Sequence, residues 1–269
     1  MSAESPTNQS VERASAVLAA FVDGGGLRVG DIAARSGLGQ STTSRMLATL
    51  ESLDYVERDE ETGRYFLGST VIALGGAALN QHPVYRASRP HAQQLAASLG
   101  LGANVSVRRG STLFYLSNFE GALPPKSMTL AGQRNPLHAT GMGKCLLLGL
   151  SAEERRALLP DLTPFTARTL TDHDELDRHV ELVESRGYAT EIEELALGRA
   201  CVAAPIRDHT NAVVAALSVS GSLSTIDLAQ REAELAGRVI EATDAISVAL
   251  GHQSPAAPYV TNLSSPGGR

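Results

Sequence analysis

The chain has 269 residues, room for about two domains at roughly 100–200 residues each and enough for a sizeable core without disulfide or metal staples. With 23 Lys plus Arg against 29 Asp plus Glu the net charge is −6, so no global basic field draws it to nucleic acid or an anionic membrane, and any polyanion contact must be local. Two cysteines, no tryptophan and no Cys/His cluster exclude a disulfide framework and a zinc finger, and neither a metal nor another cofactor is expected.

Residues 1–9 form a polar stub, and residues 252–269, rich in Ser, Pro and Gly, carry too little apolar surface to order themselves, so both ends are expected to be disordered. Val11, Ala14, Val17, Leu18 and Phe21 then recur at helical spacing until Asp23-Gly24-Gly25-Gly26 stops the pattern. Glu4 and Glu12 precede this apolar run, only one cation flanks it and its spacing is helical, so it is not read as a signal peptide. A second short helix covers about residues 29–35 and is broken by Ser36-Gly37-Leu38-Gly39, and a third runs from 40 or 41 to about 53. Three short helices with a glycine-containing turn between the last two are the sequence form of a helix-turn-helix. Strand-prone residues 55–58 and 64–67 flank Asp59-Glu60-Glu61-Thr62-Gly63, where Gly63 can take the positive φ of a hairpin turn, which makes the hairpin a candidate wing.

The apolar stretch 71–79 is helical in composition and is expected to link this small domain to the rest. Residues 66–85 carry no charge, yet Gly68, Gly75, Gly76, Asn80, Gln81, His82 and Pro83 make them a poor membrane span, so a cytoplasmic protein without membrane contact is expected. A longer helix follows at 84–99, and then the chain changes character. Strands are expected at 103–109, 113–117, 128–131, 188–192, 199–206 and 213–220, with helices at 138–149, 152–159, 175–186 and 227–250. That order reads as an α+β domain with a mostly antiparallel sheet.

At about 100° per residue, Thr43, Met46, Leu47, Leu50 and Leu53 share one face of the third helix and are expected to pack inward. The other faces near its start carry Ser41, Thr42, Ser44 and Arg45. Hydroxyls at a helix start suit phosphates and base edges, and an Arg can take guanine O6 and N7 in a bidentate fork, the geometry of a recognition helix in a major groove. Charge argues the other way: residues 1–80 hold six Arg and no Lys against ten acids. The acids, however, cluster between Glu51 and Glu61, whereas residues 28–50 hold three Arg and one Asp. An acidic N-terminal domain motivates the alternative of a small-molecule sensor whose first domain binds a protein partner rather than DNA.

The string SVERA from Ser10, the helix-turn-helix and YVERDEETGRYFLG from Tyr55 resemble the winged helix-turn-helix of IclR-type bacterial transcription regulators. The resemblance continues through PLHATGMGK from Pro136, RGY from Arg186, EELALG from Glu193, CVAAP from Cys201 and SVSG from Ser218, and so spans residues 10–251. It implies a winged helix-turn-helix domain at 10–69, a helical linker at 70–83 and a GAF-like α/β effector-binding domain at 84–251. The expected protein is a ligand-responsive regulator, a repressor of transcription, whose dimers or tetramers bind palindromic double-stranded operator DNA. Ser41, Thr42, Ser44 and Arg45 are expected to contact DNA, with Arg64 in the wing touching the backbone.

The effector-contacting positions of the family fall on Gly141, Met142, Glu191, Cys201, Ser218 and Ser220. Gly141 and Met142 lie near a helix start whose backbone N–H groups can hold a carboxylate, and Ser218 and Ser220 alternate onto one strand face, so a small organic acid suits the site. Two positions depart from the family pattern: Met142 stands where a small residue occurs, and Glu191 replaces the shorter Asp. Enzyme readings fail on the residues. No nucleophile signature surrounds Cys201 or His138, and Gly143-Lys144-Cys145 lacks both the first glycine and the Ser/Thr of a phosphate loop. The Gly141-Met142-Gly143 run lacks the third glycine of a dinucleotide fingerprint.

Overall fold

The computed structural model describes residues 8–122 and 129–253, so the expected tails fall almost wholly outside the described residues. The chain divides into two compact units, Met1–Gln81 and His82–Arg269.

The first unit contains α1 (Gln9–Ala19), α2 (Val29–Ser36), α3 (Gln40–Ser52), the hairpin strands β1 (Val56–Arg58) and β2 (Tyr65–Leu67), and α4 (Ser69–Gln81). Local chemistry sets its boundaries. Asn8 caps α1 by accepting from the Ser10 N–H, and the Asp31 carboxylate reaches back to the Arg28 N–H at the start of α2. Gly37 ends α2 at φ 69°, a left-handed conformation that costs glycine little, and the chain turns there into α3. In the hairpin turn the Asp59 carboxylate accepts from the Glu61 and Thr62 N–H groups, each at 2.9 Å. Val17, Phe21, Leu27, Ile32, Leu47, Leu50, Val56 and Tyr65 form one small core beneath the helices and the wing. Leu53, expected inside, is 55% exposed because α3 has ended one residue before it. No side chain of α4 is buried.

The second unit runs α5 (Pro83–Leu99), β3 (Gly102–Arg109), β4 (Thr112–Phe119), β5 (Arg134–Pro136), α6 (Gly141–Leu146), α7 (Ala152–Leu158), α8 (His173–Arg186), β6 (Ala189–Ile192), β7 (Arg199–Arg207), β8 (Val213–Ser222), α9 (Leu223–Ile226) and α10 (Leu228–Ala249). Six strands form one sheet in the order β5-β4-β3-β8-β7-β6, with every neighbouring pair antiparallel. The sheet is covered on both faces, and the period-two alternation of its central strands decides what each face holds. Ala103, Val105 and Val107, Val202, Ala204 and Ile206, and Leu217 and Val219 pack with α5 and α10 into an apolar core. The intervening residues, Asn104 and Ser106, Cys201 and Ala203, and Ser218 and Ser220, belong to the opposite face, the face on which α6 packs.

Two expected elements are corrected here. The helix expected over 138–149 is the six-residue α6: Thr140 has extended backbone and accepts from the Gly143 N–H at 3.1 Å, which fixes the start, and Gly149 takes φ 80° just beyond the end. The strand expected at 128–131 does not form across its described residues. Asn118 Oδ1 accepts from the Leu130 N–H at 2.8 Å and from Thr129 Oγ1 at 2.9 Å, so a side chain supplies what a ladder would have, and the pairing with β4 falls to Arg134–Pro136.

Candidate functional site

In the first unit the periodicity of α3 separates core from exposed surface. Thr43, Leu47 and Leu50 are buried, while Ser41, Ser44 and Arg45 are exposed and Thr42 is half-buried. None of the last four side chains makes a hydrogen bond or ion pair among the described residues, so hydroxyls and guanidinium are free for an external partner. Arg64 differs: its Nη1 donates to the Gly26 carbonyl at 2.6 Å, which ties the wing to the loop before α2 and leaves its other N–H groups for contact. Beside it, Arg58 lies over the Tyr65 ring, 5.8 Å from the centroid.

In the second unit a cavity of about 290 Å³ lies between α6 and the small-residue face of the sheet. Gly141, Met142, Glu191, Cys201, Ser218 and Ser220, brought from four elements, all line it. Register explains the convergence. Glu191 pairs across the sheet with Cys201, Cys201 with Ser220, and Ser218 with Asn104, so β6, β7, β8 and β3 present these side chains side by side. The volume sits at the lower edge of the range for small-molecule sites, about 300 Å³ upward, which restricts an occupant to a small metabolite.

The lining is polar and buried. Glu191 is 7% exposed, and its Oε1 accepts from the N–H groups of Glu194 at 2.7 Å and Leu195 at 3.4 Å. Burial pushes its carboxyl above the usual carboxylate range, against the pull of those N–H groups and of Lys144. The Cys201 thiol is pushed well up by burial and by Glu191. Ser106 donates from Oγ to Met142 Sδ at 3.3 Å, and Asn135 donates from Nδ2 to the Tyr115 hydroxyl at 3.1 Å.

At the helix start the Gly143 N–H donates to Thr140 Oγ1 at 3.1 Å, so that donor already has a partner. A Cβ on Gly141 would stand 2.9 Å from Cys201 Sγ and one on Gly143 only 2.0 Å from the Leu137 carbonyl oxygen, so both glycines permit close approach.

Three participants were missed in the sequence. Asn104 lines the cavity and donates from Nδ2 to the Ser220 and Ser218 hydroxyls at 3.2 and 3.5 Å. Arg199 also lines it, from the start of β7. Lys144, one position after Gly143, is 1% exposed and donates to Glu194 Oε1 at 2.6 Å and to the Thr190 carbonyl at 3.3 Å. Burial lowers the pKa of the neighbouring His179, with Lys144 adding to the effect, so its ring is neutral and Nδ1 can accept from the ammonium at 3.4 Å. This ion pair braces the loop whose N–H groups hold Glu191. The signal for Asn104 was present: Asn104 and Ser106 interrupt β3 at every second position, the same pattern that singles out Ser218 and Ser220.

Residues 10–60 match the IclR helix-turn-helix domain, and residues 76–248 match the bacterial transcriptional regulator IclR C-terminal domain. The chain belongs to the IclR family. Among curated IclR relatives, the HTH-type transcriptional regulator XynR of Escherichia coli is 32% identical over 92% of this chain and 99% of its own. The HTH-type transcriptional repressor AllR of Escherichia coli is 34% identical over 90% of each chain. An IclR transcriptional regulator from Alicyclobacillus acidocaldarius superposes with TM-score 0.81 at 29% identity, covering 91% of this chain and 100% of its own. An IclR homolog from Microbacterium hydrocarbonoxydans, crystallised with 4-hydroxybenzoate, shares the fold at TM-score 0.79 and 23% identity, over 90% and 99% of the two chains.

The IclR-family chain is therefore a DNA-binding transcription regulator with an effector-binding C-terminal domain, and its named relatives are regulators rather than enzymes. Its thiols agree: burial pushes Cys145 up to about 12, so both cysteines are protonated at neutral pH and are poor nucleophiles. The protein-partner alternative loses its footing once the helix-turn-helix belongs to this family. No helix among the described residues is long and apolar enough to cross a membrane.

Proposed function

We propose that this protein represses transcription from a palindromic operator as a dimer or a pair of dimers in the cytoplasm, and that a small organic acid in the C-terminal cavity modulates that binding. Ser41, Thr42, Ser44 and Arg45 read bases or position phosphates, and Arg64 holds the wing against the backbone. The operative division is a winged domain at 10–69, a linker at 70–83 and an effector domain at 84–251. The observation that carries the reading is the meeting of Gly141, Met142, Glu191, Cys201, Ser218 and Ser220 around one cavity of about 290 Å³.

An organic acid fits because the serine hydroxyls accept from Asn104 and keep their own protons for a carboxylate. Glu191 does not oppose it: one oxygen is held by backbone N–H groups, and burial favours the protonated form. A protein of the same fold crystallised with 4-hydroxybenzoate supports a compact acid as the class. The acid can shift DNA affinity only by preferring one of two arrangements of the operator-binding domains, and a coupling of about 1–3 kcal/mol corresponds to roughly 5- to 150-fold.

A mobility-shift titration against DNA upstream of its own and neighbouring genes, with excess competitor DNA at two salt concentrations, tests the reading. Selective, salt-weakened binding that a small acid changes is expected. Absence of selective binding with and without a metabolite mixture overturns it.

A further inference from the structure

Acidic and basic residues are segregated along the second unit. Residues 82–119 hold Arg86, Arg89, Arg108 and Arg109 and no Lys, Asp or Glu, so every acid of that unit lies further along the chain. The fold brings these arginines to one end of the sheet. α5 packs on β3 and leads into it through Gly100 and Leu101 alone, so the two run antiparallel. Seventeen helical residues and eight strand residues each span about 26 Å, which sets the start of α5 over the end of β3. Arg109 follows Val105 and Val107 in the alternation that faces α5, and it is close enough to His82, the residue before α5, to act on that ring electrostatically. Arg134 reaches the same turn, its Nη1 donating to Thr112 Oγ1 at 3.0 Å and to the Arg109 carbonyl at 3.5 Å. Arg207 ends β7, which runs parallel to β3 two places away in the sheet, and so it stands at this end as well.

On α5, His82, Arg86 and Arg89 follow i, i+4 and i+7 and share a face away from the buried Val84, Ser88, Ala92 and Leu95. Arg86, Arg89, Arg108 and Arg109 are all exposed. None of the four forms an ion pair among the described residues; the first three side chains make no hydrogen bond there, and Arg109 donates only to the neighbouring Arg108 carbonyl at 3.5 Å. Asp208, in the turn after β7, does not answer them, because its Oδ1 accepts from the Thr210 N–H at 2.8 Å and hydroxyl at 2.6 Å. Like charges gathered on one surface repel one another and attract a polyanion. No exposed large apolar side chain lies between residues 82 and 119, which disfavours lipid, since a membrane-surface helix inserts an apolar face. Duplex DNA supplies the missing counter-charge. The first unit supplies little cation for it, with six Arg against ten acids in residues 1–80.

We propose that this end of the second unit binds DNA phosphates flanking the operator, through Arg86, Arg89 and Arg109. This rests on reading the chain as an operator-binding regulator and goes further, because it adds a contact outside the helix-turn-helix. α3 selects the sequence, and the arginines add affinity without regard to it. The surface begins at His82, where the second unit starts, and so directly follows the first unit in the chain.

Fluorescence anisotropy of the full chain with labelled duplexes tests this. The duplexes are the shortest operator fragment that retains sequence selectivity, the same fragment with about one helical turn (roughly 10 bp) of flank on each side, and a random sequence of the longer length. The parent is expected to gain affinity from the flanks. The combined Arg86→Gln, Arg89→Gln and Arg109→Gln variant is expected to lose that gain, to bind the short fragment like the parent and to keep the parent's thermal midpoint. On both long duplexes its plot of log affinity against log salt should be shallower by about 0.9 for each arginine engaged, so by roughly two to three for the set. The same three positions changed to Lys should restore the slope. Arg168→Gln, Arg178→Gln and Arg231→Gln together, at cations engaged by Glu193, the Asp174 carbonyl and Glu234, alter net charge equally and should leave the slope unchanged. A parental slope in the first Gln variant, or an equal loss in the second, overturns this inference alone. If the parent selects no sequence, the operator reading falls, and the slope on the random duplex still decides whether these arginines bind phosphates.

Discussion

In the first unit the side chains proposed for contact, Ser41, Thr42, Ser44 and Arg45, stand outside a small core, whereas in the second unit Glu191, Cys201 and Ser218 are themselves buried. In the proposed reading, a partner as large as a DNA duplex is met by surface groups, so folding and recognition use different residues of α3. A small ligand has to be enclosed, so the second unit buries polar groups and must satisfy each of them. Function and stability are separable in one unit and entangled in the other.

The largest expected effect sharpens the entangled half. Lys144→Met leaves Glu194 buried without its cation and should cost about 3–5 kcal/mol in urea unfolding of the full chain, although Lys144 does not line the cavity. A loss near zero would show that the ion pair does not brace this region. Next comes Gly143→Ala, whose Cβ would press to 2.0 Å on the Leu137 carbonyl oxygen, a backbone atom that cannot swing away. It should cost about 1–3 kcal/mol of stability, read from the denaturation midpoint, and distort the cavity wall beside Met142.

Arg45→Ala should show the opposite profile: about 1–3 kcal/mol lost in operator affinity with relaxed sequence preference, and a thermal midpoint unchanged. A large fall in that midpoint would break the claim that contact and core are separate on α3.

The smallest effect concerns pH. Burial raises the Glu191 carboxyl in the folded state, so between its unfolded value near 4.5 and its higher folded value the native protein holds more protons than the unfolded chain. The stability this contributes is present in full below about pH 4.5 and is lost as pH rises through the folded value. Glu191→Gln keeps an Oε1 for the Glu194 and Leu195 N–H groups but cannot ionise. It should exceed the parent at pH 7 by roughly 1 kcal/mol or less, with a smaller advantage at pH 4.5. Equal urea midpoints for the two proteins at both pH values would remove Glu191 as a source of the pH dependence.

What the sequence made legible follows the same division. The helix-turn-helix and wing could be read locally, because Gly37, the spacing of Leu47 and Leu50, and the Asp59–Gly63 turn act within a few residues of themselves. The alternation of Ser218 and Ser220 likewise marked β8, and β7 was expected at 199–206 against an observed Arg199–Arg207. The shortness of α6 could not be read, because it depends on Thr140 turning back to cap Gly143 and to donate to the Pro136 carbonyl. Asn104 and Lys144 were missed for a different reason: their partners, Ser218 and Glu194, lie 114 and 50 positions away and become neighbours only through sheet register and loop packing. A lysine is also among the residues least expected inside a protein. Arg199 carried no pattern of its own and acquires meaning only from the cavity beside it.

The central claim is that one unit binds DNA while the other senses a ligand that alters that binding. Fluorescence anisotropy of a labelled operator fragment, titrated with the parent protein, Arg45→Ala and Ser218→Ala, each with and without the tightest-binding acid, tests it most directly. Arg45→Ala should bind DNA about 5- to 150-fold more weakly and still bind the acid, while Ser218→Ala should bind DNA like the parent and lose the response to the acid. Loss of acid-free DNA binding in Ser218→Ala, or of acid binding in Arg45→Ala, would contradict the account.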